Sequence, residues 1–285
     1  MRWTPGRKSN DVEDLRGQTG GGGGLRRGGM KIGLGGILLL LLLSVIFKQD
    51  FLSLVDTGQM ATYSTGETQS DPDRNAAEEP LVQFVNFVLD DVQSTWDQTF
   101  PAMGAEYRHA KLVLFRDYIQ SGCGSAESAT GPFYCPEDEK VYIDLGFYGE
   151  LKQRFGAPGE FAQAYVLAHE IGHHVQKVLG IESQVRELQS QHPAQAKALS
   201  VRLELQADCL AGVWGHSTAQ RDILEKGDVE SGLGAAAAVG DDRIQRMTTG
   251  RVSPESFTHG SSAQRVEWFK RGLAQGDVAA CNAFE

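Results

Sequence analysis

An α+β domain, a small sheet followed by a helical subdomain, is predicted by three observations. Two short apolar runs of strand character, Lys111-Leu-Val-Leu-Phe115 and Lys140-Val-Tyr-Ile-Asp-Leu145, fall in the first half of the chain. No comparable run follows them. The second half instead carries apolar residues at helical spacing, broken by glycines and polar turns.

Taken in chain order, residues 1–30 are polar, basic and rich in glycine, including Gly20–Gly24, and predict a disordered cytoplasmic tail. Ile32–Phe47 is apolar and bracketed by Lys31 and Lys48, which predicts a transmembrane signal anchor over residues 31–48. Sixteen residues span roughly 24 Å as a helix, short of a hydrocarbon core of about 30 Å, so the bilayer thins or the lysines snorkel. The sequence after it, Lys48-Gln49-Asp50-Phe51, offers no small-x-small cleavage site, which favours an uncleaved anchor over a signal peptide. Arg2, Arg7, Lys8, Arg16, Arg26 and Arg27 precede the run. They predict a cytoplasmic N-terminus and a body exported across a bacterial inner or cytoplasmic membrane. Net charge is +5 through Lys48 and −15 beyond it. An acidic body repels phosphates and argues against a nucleic-acid partner.

Residues 49–79 read as a linker, and the folded domain is expected over 80–285. Leu81, Phe84, Val85, Val88, Leu89, Val92 and Trp96 recur at helical spacing. Cys123 and Cys135 lie in the loop between the two strands. An even count of four cysteines in an exported domain predicts two disulfides, and proximity favours Cys123–Cys135. Helices are expected around 159–179, 194–214, 228–247 and 261–274. The last carries a capping box, Ser261 with Gln264, and Gly276 as its stop.

The helix around 159–179 contains His169-Glu170-x-x-His173. Residues four apart on a helix lie one turn above each other, so both imidazoles can reach one metal ion. Neutral imidazole suits zinc, and an open position leaves room for a water whose proton Glu170 can take as general base. His174 points away from His169 and reads as structural. Two histidines leave a ligand missing. Downstream, Glu204 and Asp208 share one helical face among apolar neighbours, where buried carboxylates need partners. Spacing alone does not decide which of them binds the metal directly.

His169-Glu-Ile-Gly-His-His-Val-Gln176 with Glu204-Leu-Gln-Ala-Asp208 resembles the glutamate-zincin metallopeptidases. The whole chain is similar to a bacterial family of neutral zinc metallopeptidases. The likeness runs from Met1-Arg-Trp through Gly131-Pro-Phe-Tyr-Cys135 and Val141-Tyr-Ile-Asp144 to His259-Gly and Gln264-Arg265. The resemblance implies a zincin-like fold, one zinc per chain, Glu204 as third ligand and Asp208 as partner of a ligand histidine. It implies hydrolysis of a protein or peptide substrate. It also implies that His259 steadies the oxyanion of peptide hydrolysis, the other reading being a loop histidine that caps the last helix; Arg265 is either a second donor or the partner of an acidic neighbour. A cell-envelope protein that binds metal or a partner and cleaves nothing is the alternative, against which the intact Glu170 argues. An intramembrane protease is rejected, because Tyr165, Glu170, Gln176 and Lys177 make the motif helix too polar for a bilayer. Oligomeric state has no signature in the sequence.

Overall fold

A computed structural model describes residues 1–6, 8–17, 72–128 and 131–284. The sheet forms where the two apolar runs predict it. β2 (Lys111–Phe115) and β6 (Lys140–Asp144) pair in parallel at its centre. β5 (Phe133–Cys135) lies antiparallel to β6 at one edge, and β1 (Val12–Asp14) lies parallel to β2 at the other, giving the order β1-β2-β6-β5. A separate hairpin, β3 (Tyr118–Ser121) with β4 (Gly124–Glu127), projects from the loop between β2 and β5. Alternation along the central strands divides the core. Leu112, Leu114, Val141 and Ile143 face the main helical core, while Val113, Phe115 and Tyr142 build a smaller cluster on the other side.

The helices follow. α1 (Pro72–Thr99) buries Leu89, Val92 and Trp96 completely. After the sheet come α2 (Gly146–Gln153), α3 (Glu160–Val178), α4 (Ile181–Gln191) and α5 (Ala196–Gln220). α6 (Asp228–Ala238), α7 (Asp241–Thr249) and α8 (Ser262–Gln275) complete the domain. The mixed sheet and the helical subdomain agree with the α+β class. Among the described residues no helix is long and apolar enough to cross a membrane. The expected anchor, with most of the expected linker and the rest of the tail, lies at 18–71, outside the described residues.

Three expectations are corrected. Residues 1–16 are not a disordered tail: they belong to the same unit as the chain from Asp73 onward. Val12 is buried, Ser9 N–H donates to Asn86 Oδ1 at 2.8 Å, and Trp3 packs on Phe84 at 5.3 Å between ring centroids. The Arg16 guanidinium is buried between Asp14 and Glu78, at 2.8 and 2.9 Å. Composition averaged over thirty residues hid a strand of three. Secondly, α1 starts at Pro72 rather than near Pro80. A proline fits the first helical position; Pro80, inside the helix, lacks the N–H that would bond back to Ala76 but leaves the turns after it free to form. Thirdly, the helix expected over 228–247 is two helices parted at Val239 and Gly240. A Cβ on Gly240 would lie 2.3 Å from the Ser262 nitrogen, so the break lets the start of α7 meet the start of α8.

Candidate metal centre

α3 brings His169, Glu170 and His173 into the interior, and α5 brings Glu204 and Asp208 against them. Gly172 makes the approach possible, since a Cβ there would sit 3.0 Å from the Ala207 carbonyl oxygen of α5. His169 Nε2 lies 3.2 Å from one Glu204 oxygen and His173 Nε2 lies 3.6 Å from the other. The three potential ligand atoms of His169, His173 and Glu204 all fall within 4.8 Å of one another. Two imidazoles and one carboxylate match a catalytic zinc set that keeps a further position open.

The second nitrogen of each imidazole is also held. His169 Nδ1 lies 2.9 Å from Asp208 Oδ1, and His173 Nδ1 lies 2.9 Å from Gln176 Oε1. Acceptors at both Nδ1 atoms fix the protons there and turn both Nε2 lone pairs towards Glu204. Gln176 is fully buried, and its amide donates to the Leu203 carbonyl at 2.7 Å and to Gln206 at 3.0 Å. The sequence reading did not give it a role. Its signal was the i,i+3 spacing from His173.

Charge in the centre favours a cation. Burial alone would lower His169, but the charge of Asp208 and the hydrogen bonds of Asp208 and Glu204 together outweigh it and raise the imidazole to about 9. Burial would raise Glu204, yet the neighbouring His173 and His169 hold it well below the usual carboxylate range. The same groups that retain a proton in the bare site would face a metal ion in its place. Glu170 is buried and its carboxyl is raised, with burial as the leading cause.

Asp208 shares its two oxygens among three partners. Arg265 from α8 donates to both, at 2.8 and 2.9 Å, and the Tyr165 hydroxyl donates to Oδ1 at 2.5 Å. Of the two roles open to Arg265, the structure therefore places it as the partner of an acidic neighbour. His174 turns away from the site, as expected. Its Nε2 reaches the Arg108 carbonyl at 2.6 Å and its Nδ1 the Tyr134 hydroxyl at 3.0 Å, while burial lowers its pKa.

His259 lies on the loop before α8 and lines the same cleft as His169, Glu170, His173 and Glu204. Asp241, at the start of α7, organises that loop. Its carboxylate accepts the backbone N–H groups of Thr258, His259 and Gly260 at 2.7, 2.7 and 3.1 Å, and lies 3.1 Å from His259 Nδ1. Gly260 takes a positive φ of 93°, which frees the turn to wrap around the carboxylate. The sequence did not reveal Asp241, because its link to His259 spans a helix and a loop. The cleft has a volume of about 640 Å³ and apolar walls that include Phe133, Tyr134, Phe147, Val185 and Ile244. All four cysteines are paired, Cys123 with Cys135 on the edge strand and Cys209 with Cys281 beside Asp208.

A family described as "Putative neutral zinc metallopeptidase" matches residues 1–284. The chain is 49% identical to YpfJ of Escherichia coli K12 over 290 residues, which cover 100% of this chain and 99% of the relative. It is 45% identical to Rv2575 of Mycobacterium tuberculosis H37Rv over 205 residues, 68% of this chain and 67% of the relative. No solved structure matches. On a match that runs the length of the chain, the protein belongs to the neutral zinc metallopeptidase family.

Proposed function

We propose that the protein is a zinc-dependent peptidase of the glutamate-zincin type, with one zinc per chain held by His169, His173 and Glu204. The observation that carries this reading is the convergence of three ligand atoms, with both histidine Nδ1 atoms held, beside a buried carboxylate in a cleft of mixed apolar and charged walls. Bound zinc would supply a Lewis acid and a nucleophilic water near neutral pH. Glu170, beside the ligand atoms, would accept a proton from the attacking water and return it to the leaving amine. Its raised pKa suits both halves of the transfer, because the protonated carboxyl is not too acidic to persist between them. His259 lines the cleft while Asp241 lies against its Nδ1, so its protonated imidazolium would donate to the oxygen on which charge builds. Asp208 and Arg265 orient His169. The apolar walls favour a peptide or protein substrate bound by its side chains. Two disulfides support an oxidising compartment outside the cytoplasm, and the apolar run at Ile32–Phe47 supports association with the bacterial inner or cytoplasmic membrane.

Glu170→Gln decides the central claim. The amide keeps the size and loses the basic oxygen, so zinc content should stay near one per chain while peptide hydrolysis falls at least about 100-fold. Metal analysis and hydrolysis measured on one sample check it. Hydrolysis near the unaltered rate would remove Glu170 from the reaction.

A further inference from the structure

We propose that Met1–Arg16 occupies the same aqueous compartment as the metal centre. The charge ahead of Ile32 sends this segment to the opposite side from the body. The fold does not allow that separation. β1 is hydrogen-bonded to β2 in parallel register, with Val12 opposite Leu112 and Asp14 opposite Leu114. Ser9 bonds to Asn86 and Asp90 of α1, and Lys111 reaches Asp11 at 2.7 Å. Arg16 itself, one of the basic residues in the topology signal, is buried in ion pairs with Asp14 and Glu78. A buried strand of one domain cannot lie across a membrane from the rest of it.

The chain leaves the domain after Arg16 and rejoins it at α1, and Glu78, near the start of α1, lies 2.9 Å from Arg16. Departure and return therefore occur at one corner. A connection that leaves and rejoins one side crosses a bilayer an even number of times or not at all. Two crossings by helices need about 40 apolar residues, and Ile32–Phe47 supplies sixteen. A single-pass anchor at Ile32–Phe47, as the sequence alone predicts, would part Met1–Arg16 from the domain that holds it. The disulfides make the shared compartment the oxidising one.

The test uses the full chain with one added cysteine, at Asn10 or at Lys270, both exposed and remote from the metal centre. The native cysteines are all paired and stay silent. Spheroplasts are treated with a membrane-impermeant maleimide before and after permeabilisation. The fraction labelled before permeabilisation should agree within about twofold at the two positions. Labelling of Lys270→Cys in intact spheroplasts, with Asn10→Cys reached only after permeabilisation, would overturn the shared compartment. Arg2→Cys replaces Asn10→Cys should the latter fail to fold.

Discussion

His169 and His173 are held at Nδ1 by unlike groups, an ionised carboxylate for one and a neutral amide for the other. Gln176→Leu should therefore weaken zinc affinity by about 10–100-fold, the usual effect of losing such a partner, and competitive chelator titration measures it. Asp208→Asn should do the same through His169. Its ion pair with Arg265 adds a second cost. Arg265→Met strips the main counter-charge from a fully buried Asp208 and should destabilise the domain by about 3–5 kcal/mol in denaturant unfolding. A loss below about 1 kcal/mol would mean that Asp208 is not ionised in the fold. The histidine pair was legible in the sequence because helical spacing of four is a local rule, whereas spacing left Glu204 and Asp208 undecided and only the resemblance pointed to Glu204. Gln176 sat within the same motif and was read only as polar. Asp241 was out of reach, since no local spacing links it to His259.

Glycine governs how the helices meet. A Cβ on Gly212 of α5 would lie 2.3 Å from the Phe269 carbonyl oxygen, and one on Gly272 of α8 would lie 1.9 Å from the Cys209 carbonyl oxygen. The two backbones touch, and this contact carries Arg265 to Asp208. Gly272→Ala should cost at least about 1–3 kcal/mol from overpacking and also loosen zinc binding, although residue 272 is not among the metal ligands. Thermal unfolding and metal affinity measured together check the pairing. Unchanged affinity in a destabilised variant would show that the spacing of α5 and α8 does not set the site. Long helices and the central strands were legible from apolar periodicity, and the capping box fixed the start of α8. α4 was missed because its eleven residues bury little, with Val185 the one hydrophobic side chain fully inside. β1 was missed because three residues leave no period to read.

Across the whole molecule, the N-terminal segment is held in part by an ionisable imidazole. His109 lies 2.7 Å from Asp11 and 3.0 Å from Asp97. Partial burial would lower its pKa, but the hydrogen bonds and charges of the two carboxylates outweigh that and raise it. A raised folded pKa means a contribution fully present below the unfolded value of about 6.5 and lost as pH rises through the folded value. Protection of the amides of residues 11–14 from hydrogen exchange should thus fall as pH climbs from 6 to 8, after correction for intrinsic exchange. His109→Gln should flatten that dependence, and a slope that persists in the variant would assign it elsewhere. The cleft has a consequence for what the proposed enzyme could reach in the cell. About 640 Å³ admits a few side chains on an extended strand and no folded domain. A protein's own fold would then be its shield. The enzyme would act on segments presented in extended form, and the same cleavage sequence should be cut when unfolded and spared when packed.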